Sequence, residues 1–229
     1  MASCTRQSTT TAPTTTTTVA STTSTTGPSA SSTTTTTLRP APSFSDVASG
    51  ASYFAQITDL ASRGIISGFA DGTFRPGDSV SRQQFAKMVV KSLALPVSMQ
   101  SKCPFSDVDA NLDPADPLYP DHYVAVCAAA HITEGINPAL SLYGPYTGLT
   151  RAQLITMVAR ATDLPDPLAE YIPPFADFSA DHYQWARKAA YAGLLTGLQG
   201  IGPSYQFFEP ASRGEVCLVL CNLLHPQGA

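Results

Sequence analysis

The chain has 229 residues, 43% hydrophobic, 13% charged and 9% aromatic, enough for one large domain or two small ones. Beyond residue 40 it carries 11 basic and 17 acidic side chains, a net charge of −6 that disfavours a general nucleic-acid binder, which needs many phosphate-neutralising cations. No stretch approaches the ~18 uninterrupted apolar residues of a bilayer span, so no membrane span is expected.

Residues 1–42 form a Thr/Ser/Pro-rich tract whose first 40 positions hold eighteen Thr, seven Ser and no acidic residue. Without periodic apolar positions it cannot bury a core, and it is expected to be a disordered linker. Such composition is typical of extracellular stalks open to O-glycosylation. The opening residues nevertheless lack the apolar region of a secretory signal, and no apolar segment precedes Met1-Ala2-Ser3-Cys4, so no lipidation box is expected. A soluble chain with a missing or processed N-terminus fits both observations.

Three similar units follow, at residues 43–100, 101–170 and 171–229. They begin Phe44-Ser45-Asp46-Val47, Phe105-Ser106-Asp107-Val108 and Phe175-Ala176-Asp177-Phe178, with starts 61 and 70 residues apart. In unit one, Phe54, Ile57, Leu60 and Ala61 recur at helical spacing, and Gly64 stands where a left-handed cap would end the helix. The hinge 64–68 leads to a turn at Asp71-Gly72, followed by Phe74 and Pro76. Unit two carries an insertion, 111–117, and its first helix is predicted to start near Tyr119-Pro120, with Pro in the first turn. Its hinge is 131–135; that of unit three, which holds the only Trp, Trp185, is 193–197.

A second helix is predicted in each unit from Ser81-Arg82-Gln83-Gln84, Thr150-Arg151-Ala152-Gln153 and Ser212-Arg213-Gly214-Glu215, all fitting the capping box. The arginine is unexpected. At the first helical position a cation opposes the helix dipole by about 0.3 to 1 kcal/mol, yet Arg82, Arg151 and Arg213 all stand there. Free first-turn amides with a guanidinium fork suit a carboxylate or phosphate, giving three potential anion sites. The alternative is that each Arg pairs internally with the Asp of its own or a neighbouring Phe-x-Asp start.

The run from Phe44 through Gly64-Ile65-Ile66-Ser67-Gly68-Phe69-Ala70-Asp71-Gly72-Thr73-Phe74-Arg75-Pro76 to Val80-Ser81-Arg82-Gln83-Gln84-Phe85 resembles an S-layer homology (SLH) domain, and residues 43–225 resemble a tandem of three. The resemblance implies an all-α fold of three helix-loop-helix repeats in a pseudo-threefold, three-pronged spindle, with a central helix bundle and grooves between prongs. It also implies noncovalent anchoring of exported proteins, at the cell wall or S-layer, to anionic and often pyruvylated secondary wall polysaccharide. A pyruvyl ketal carries a carboxylate that each arginine would suit.

Carried over by motif, the groove arginine is Arg82, Arg151 and Arg213. The early aspartate, Asp46, Asp107 and Asp177, would accept sugar hydroxyls, and Gly68, Gly135 and Gly197 would permit close approach to a sugar. The family's Thr-Arg-Ala-Glu motif is matched in full by none of the units, and its aromatic near the first helix start has the equivalents Tyr53, Tyr119, and Tyr183 or Trp185. Not every groove is expected to bind, and the first ranks highest.

Cys103 and Cys127 flank the insertion and could close a disulfide. Cys217 and Cys221 align with Ala86 and Val90 and are expected in the core, with no His at a metal-binding spacing. Asp121-His122 and Asp181-His182 are read as helix-start residues, with Asp capping. Without a nucleophile elbow, zinc-protease or phosphate-loop motif, no catalytic residue, metal or cofactor is expected. Three rivals remain: peptidoglycan binding without pyruvate recognition, a protein-interaction scaffold with structural arginines, and a wall-hydrolase subunit whose catalytic domain lies elsewhere.

Overall fold

The computed structural model describes residues 42–226, so all but the last residue of the Thr-rich tract lies outside the described residues. Six α-helices follow in order: α1 (Phe54–Ser62), α2 (Arg82–Ser92), α3 (Asp121–Ala129), α4 (Arg151–Arg160), α5 (Tyr183–Tyr191) and α6 (Arg213–Leu224). No strand occurs among the described residues, only isolated bridges.

The capping boxes set three of the six starts, as expected. Ser81, Thr150 and Ser212 are extended, each hydroxyl accepts the amide of Gln84, Gln153 or Glu215, and those side chains accept the cap amide in return. The first helices start differently. Tyr53, Pro120 and His182 are their cap residues, none with a side-chain cap bond. The expected Asp caps are therefore absent: Asp121 is already helical and Asp181 lies ahead of the cap. Pro120 likewise precedes its helix rather than opening the first turn.

The helices pair across units. α3 packs on α2, α5 on α4, and α1 on α6, so the first helix of each unit leans on the second helix of the unit before it, and unit one closes on unit three. α6 also packs on α4 and α2, and the second helices supply much of the shared core through Phe85, Val89, Leu154, Ile155, Val158, Val216 and Leu220. Burial of each such aliphatic or aromatic side chain contributes about 1.5 to 3 kcal/mol.

A backbone triangle joins the units at the starts of α2, α4 and α6. Val80 donates to the Ala211 carbonyl at 3.3 Å, Ala211 to Leu149 at 2.8 Å, and Leu149 back to Val80 at 2.8 Å. The next amides serve the same junction: Arg82 and Gln83 donate to Thr147 and Pro145, Arg151 and Ala152 to Glu209 and Phe207, and Arg213 and Gly214 to Asp78 and Pro76. The first-turn amides expected to await an anion are thus consumed by the neighbouring unit's loop. At Gly214 a Cβ would lie 2.6 Å from the Tyr53 ring, which accounts for glycine at that position.

The cysteines also depart from expectation. Cys103 and Cys127 are unbonded. Cys127 instead faces α2, its thiol 3.7 Å from the Ala86 carbonyl, and burial pushes it up to about 12. Cys217 is buried as expected, whereas Cys221 is only half-buried.

Candidate ligand grooves

Each arginine reaches into the next unit around the ring. Arg82 Nε donates to the Tyr143 carbonyl at 2.8 Å and its guanidinium lies 4.7 Å from that ring. Arg213 repeats the arrangement on Phe74, at 2.8 Å to the carbonyl and 4.3 Å to the ring. Arg151 lies 5.0 Å from the Tyr205 ring, but its Nε binds Glu215 at 2.9 Å, a carboxylate only 5% exposed by residue. Among the described residues, no carboxylate lies within ion-pairing distance of Arg82 or Arg213, and burial lowers the proton affinity of both. One buried cation, Arg82, and one half-buried, Arg213, therefore stand without a counter-ion, and the third is neutralised.

The aspartates do not meet the arginines directly. Asp46 accepts the Phe74 and Arg75 amides, each at 2.7 Å, and the Phe74 amide in particular holds its carboxyl below the usual range. Asp107 accepts the Tyr143 and Gly144 amides, each at 2.8 Å. Each carboxylate thus orders the loop whose aromatic residue offers its carbonyl and ring to an arginine. Asp177 breaks the pattern, accepting the Ser179 amide, while Phe178 stacks on Phe207 with ring centroids 3.6 Å apart.

Gly68 and Gly135 are tied to packing within their own units. A Cβ on Gly68 would strike the Phe44 ring and the Thr73 carbonyl, and one on Gly135 would strike Phe105 and the Leu142 carbonyl. Gly197 faces Leu218 more loosely, at 3.5 Å.

Two grooves repeat one construction. Each is walled by one unit's hinge and second helix, the start of the next unit's first helix, and the arginine of the remaining unit. Groove one, about 220 Å³, contains Ser67, Lys87, Lys91, Tyr119 and Arg213. Groove two, about 560 Å³, contains Glu134, Gly135, Thr156, Arg160, His182 and Arg82. The latter volume is in the range of small-ligand sites. Lys91 and Arg160 occupy equivalent positions on α2 and α4.

The rims differ. In groove one, Lys87 pairs with Asp116 at 2.9 Å, a residue of the insertion. In groove two, Arg160 pairs with exposed Glu134 at 3.3 Å, while His182 Nδ1 is 2.8 Å from Thr156 Oγ1. Burial, first, lowers the proton affinity of His182. The third set of equivalent positions is closed from within: Asn222 replaces Lys91 and Arg160, and its amide donates to the Leu194 and Thr196 carbonyls, both at 2.9 Å.

Lys87, Lys91 and Arg160 were absent from the sequence-derived site. Their signal was present, since Lys91 and Arg160 each stand nine residues after the motif arginine. Recognising its meaning required knowing that this helix position faces the next unit.

Residues 43–86 match the family model of the S-layer homology domain. The chain is 28% identical to the S-layer protein EA1 of Bacillus anthracis over 175 residues, 76% of this chain and 19% of that protein. It is 26% identical to an S-layer protein of Bacillus licheniformis over 174 residues, again 76% and 19%. An endoglucanase of Bacillus sp. (strain KSM-635) is 31% identical over 193 residues, 79% of this chain and 18% of the enzyme. The chain thus spans under a fifth of the length of these relatives. No helix among the described residues is long and apolar enough to cross a membrane. Residues 43–86 are an S-layer homology domain, within a segment that S-layer proteins share.

Proposed function

We propose that the chain is a noncovalent, non-catalytic cell-wall anchor that binds an anionic, pyruvylated secondary wall polysaccharide, through grooves one and two, and tethers a surface or S-layer protein. The observation that carries this reading is the pair of arginines, half-buried Arg213 and buried Arg82, each without a carboxylate partner and each in the wall of a groove beside a second cation, Lys91 or Arg160. An acidic sugar substituent would supply the missing charge and accept hydrogen bonds worth more than neutral ones. The closed ring of helix pairs supports a tandem of three repeats in a pseudo-threefold spindle, and the match to S-layer proteins supports a location at the cell wall. The endoglucanase similarity fits the same role, with this segment corresponding to an anchor rather than to a hydrolase.

Asp46 and Asp107 are assigned as ligand neighbours that also hold their loops, and Gly68 and Gly135 as hinge residues beside them. Arg151, Asp177 and Gly197 belong to the equivalent third position, where Glu215 supplies the charge internally, and no anion is proposed to bind there.

The test is cosedimentation of the full chain with native wall sacculi, sacculi stripped of secondary polymer, and sacculi lacking pyruvyl groups. Binding to the native preparation alone is expected. Lys91→Gln and Arg160→Gln should each weaken it about tenfold or more, the scale of one charge-assisted hydrogen bond, with little change in fold. Equal binding to all three preparations would replace this reading with peptidoglycan recognition, and no binding to any would favour a protein scaffold.

A further inference from the structure

We propose that Asp59, Cys221 and His225 form a site for a thiophilic divalent cation, zinc foremost, that ties the first helix to the last. Cys221 and His225 are four residues apart at the end of α6 and share one face, opposite Asp59 of α1. One donor atom from each lies within 4.8 Å of the others. His225 Nε2 is 3.4 Å and Cys221 Sγ 3.8 Å from Asp59 Oδ2. Tetrahedral zinc, with bonds of about 2.0 Å to N or O and about 2.3 Å to S, places its ligand atoms about 3.3 to 3.5 Å apart. Closure onto an ion therefore needs small side-chain movements.

The chemistry of the donors is selective. A thiol and an imidazole favour zinc over calcium or magnesium, which prefer all-oxygen sites. Arg63 Nη2 lies 3.0 Å from His225 Nε2, and a guanidinium only donates, so in that contact the nitrogen offers a lone pair that an ion would take over from Arg63. On coordination, Cys221 releases its thiol proton to solvent, and water completes the fourth position.

Arg63 is the competitor. Its Nε also binds Asp59 at 2.9 Å, so it holds two of the three ligands in the place a cation would take. It is 43% exposed in its side chain and can turn to water, giving up a surface ion pair of small worth. The cluster is independent of both grooves. Because α1 and α6 belong to units one and three, a bound ion would reinforce the contact that closes the ring.

The test is titration of the reduced full chain with Co²⁺, followed by Zn²⁺. Expected are a thiolate-to-cobalt charge-transfer band in the near ultraviolet, its loss when zinc displaces cobalt, and a melting temperature that rises with excess zinc. Cys221→Ser should abolish the band and His225→Ala should weaken binding at least tenfold, while Arg63→Ala should strengthen it. The proposal fails if the unmodified chain gives no charge-transfer band. It also fails if the band survives Cys221→Ser, which would place the metal on another cysteine, or if saturating zinc leaves the melting temperature unchanged.

Discussion

Arg82 shows how much a single side chain's meaning depends on what surrounds it. Judged from its helix position alone, its loss should change stability by about 1 kcal/mol or less, the size of a first-turn charge effect. In the folded chain it is 3% exposed and bonded to the Tyr143 carbonyl and Thr133 hydroxyl of the next unit. Arg82→Ala should therefore cost about 2 to 3 kcal/mol, as for a buried hydrogen bond from a charged group, measured by urea unfolding. A loss under about 1 kcal/mol would mean that the guanidinium holds nothing together. The carboxylates predict an acid limb. Asp46 and Asp71 both have lowered folded-state values, Asp71 reaching about 2 through the Thr73 hydroxyl and Arg75. Their stabilisation is thus fully present above the ordinary 3.8 and is lost as pH falls through each lowered value, about 2 for Asp71. Unfolding midpoints measured across that window should decline, and Asp46→Asn should flatten the decline. The arginine and aspartate motifs were legible in the sequence, but their partners were not. Arg82 lies 61 positions from Tyr143, and Arg213 lies 139 from Phe74, distances over which no local pattern operates.

At the scale of the element, legibility follows whether the deciding bonds are local. The starts of α2, α4 and α6 were readable because a capping box closes within four residues. The starts of α1, α3 and α5 were less so, because Tyr53, Pro120 and His182 make no side-chain cap bond and those helices depend on packing against another unit. Thr150→Ala should accordingly cost about 1 kcal/mol, the ordinary worth of a cap hydroxyl. A different effect is expected one residue earlier. Leu149 donates its amide to Val80 in the backbone triangle and its side chain is fully buried. Leu149→Ala keeps the donor and should cost about 2 to 5 kcal/mol as a cavity. Leu149→Pro removes the donor as well and should unfold the chain at lower urea than Leu149→Ala. Equal midpoints for the two variants would remove the triangle from the forces joining the units. The cysteines follow the same division: Cys217 was correctly placed in the core from its repeat position, but Cys221 faces Asp59 of another unit and could not be read that way.

At the scale of the whole molecule, the sequence repeat and the packing repeat are out of step. A sequence unit contains one first helix and one second helix, yet α1 rests on α6, α3 on α2 and α5 on α4. The stretch matching the domain family, 43–86, therefore includes α1 without its packing partner and only the first turns of α2. Removing residues 171–226 would uncover Ile57, Leu60 and Ala61, which are buried in the intact chain, and would leave the Val80 amide without Ala211. It would also expose the face of α4 that α5 covers. A domain near 60 residues has little core to lose, so such a chain should not retain two-thirds of its structure. The expected outcome for residues 1–170 is collapse of the cooperative unfolding transition, with most of the far-ultraviolet helical signal lost, and residues 1–100 should show no transition. Adding residues 171–229 as a separate chain should restore helix content, because the two pieces between them carry both sides of the α1–α6 and α4–α5 packing and can dock along those faces. Retention of a sharp transition by residues 1–170 alone would make the three units independent, and would remove the ring closure between α1 and α6 from the forces that hold the protein together.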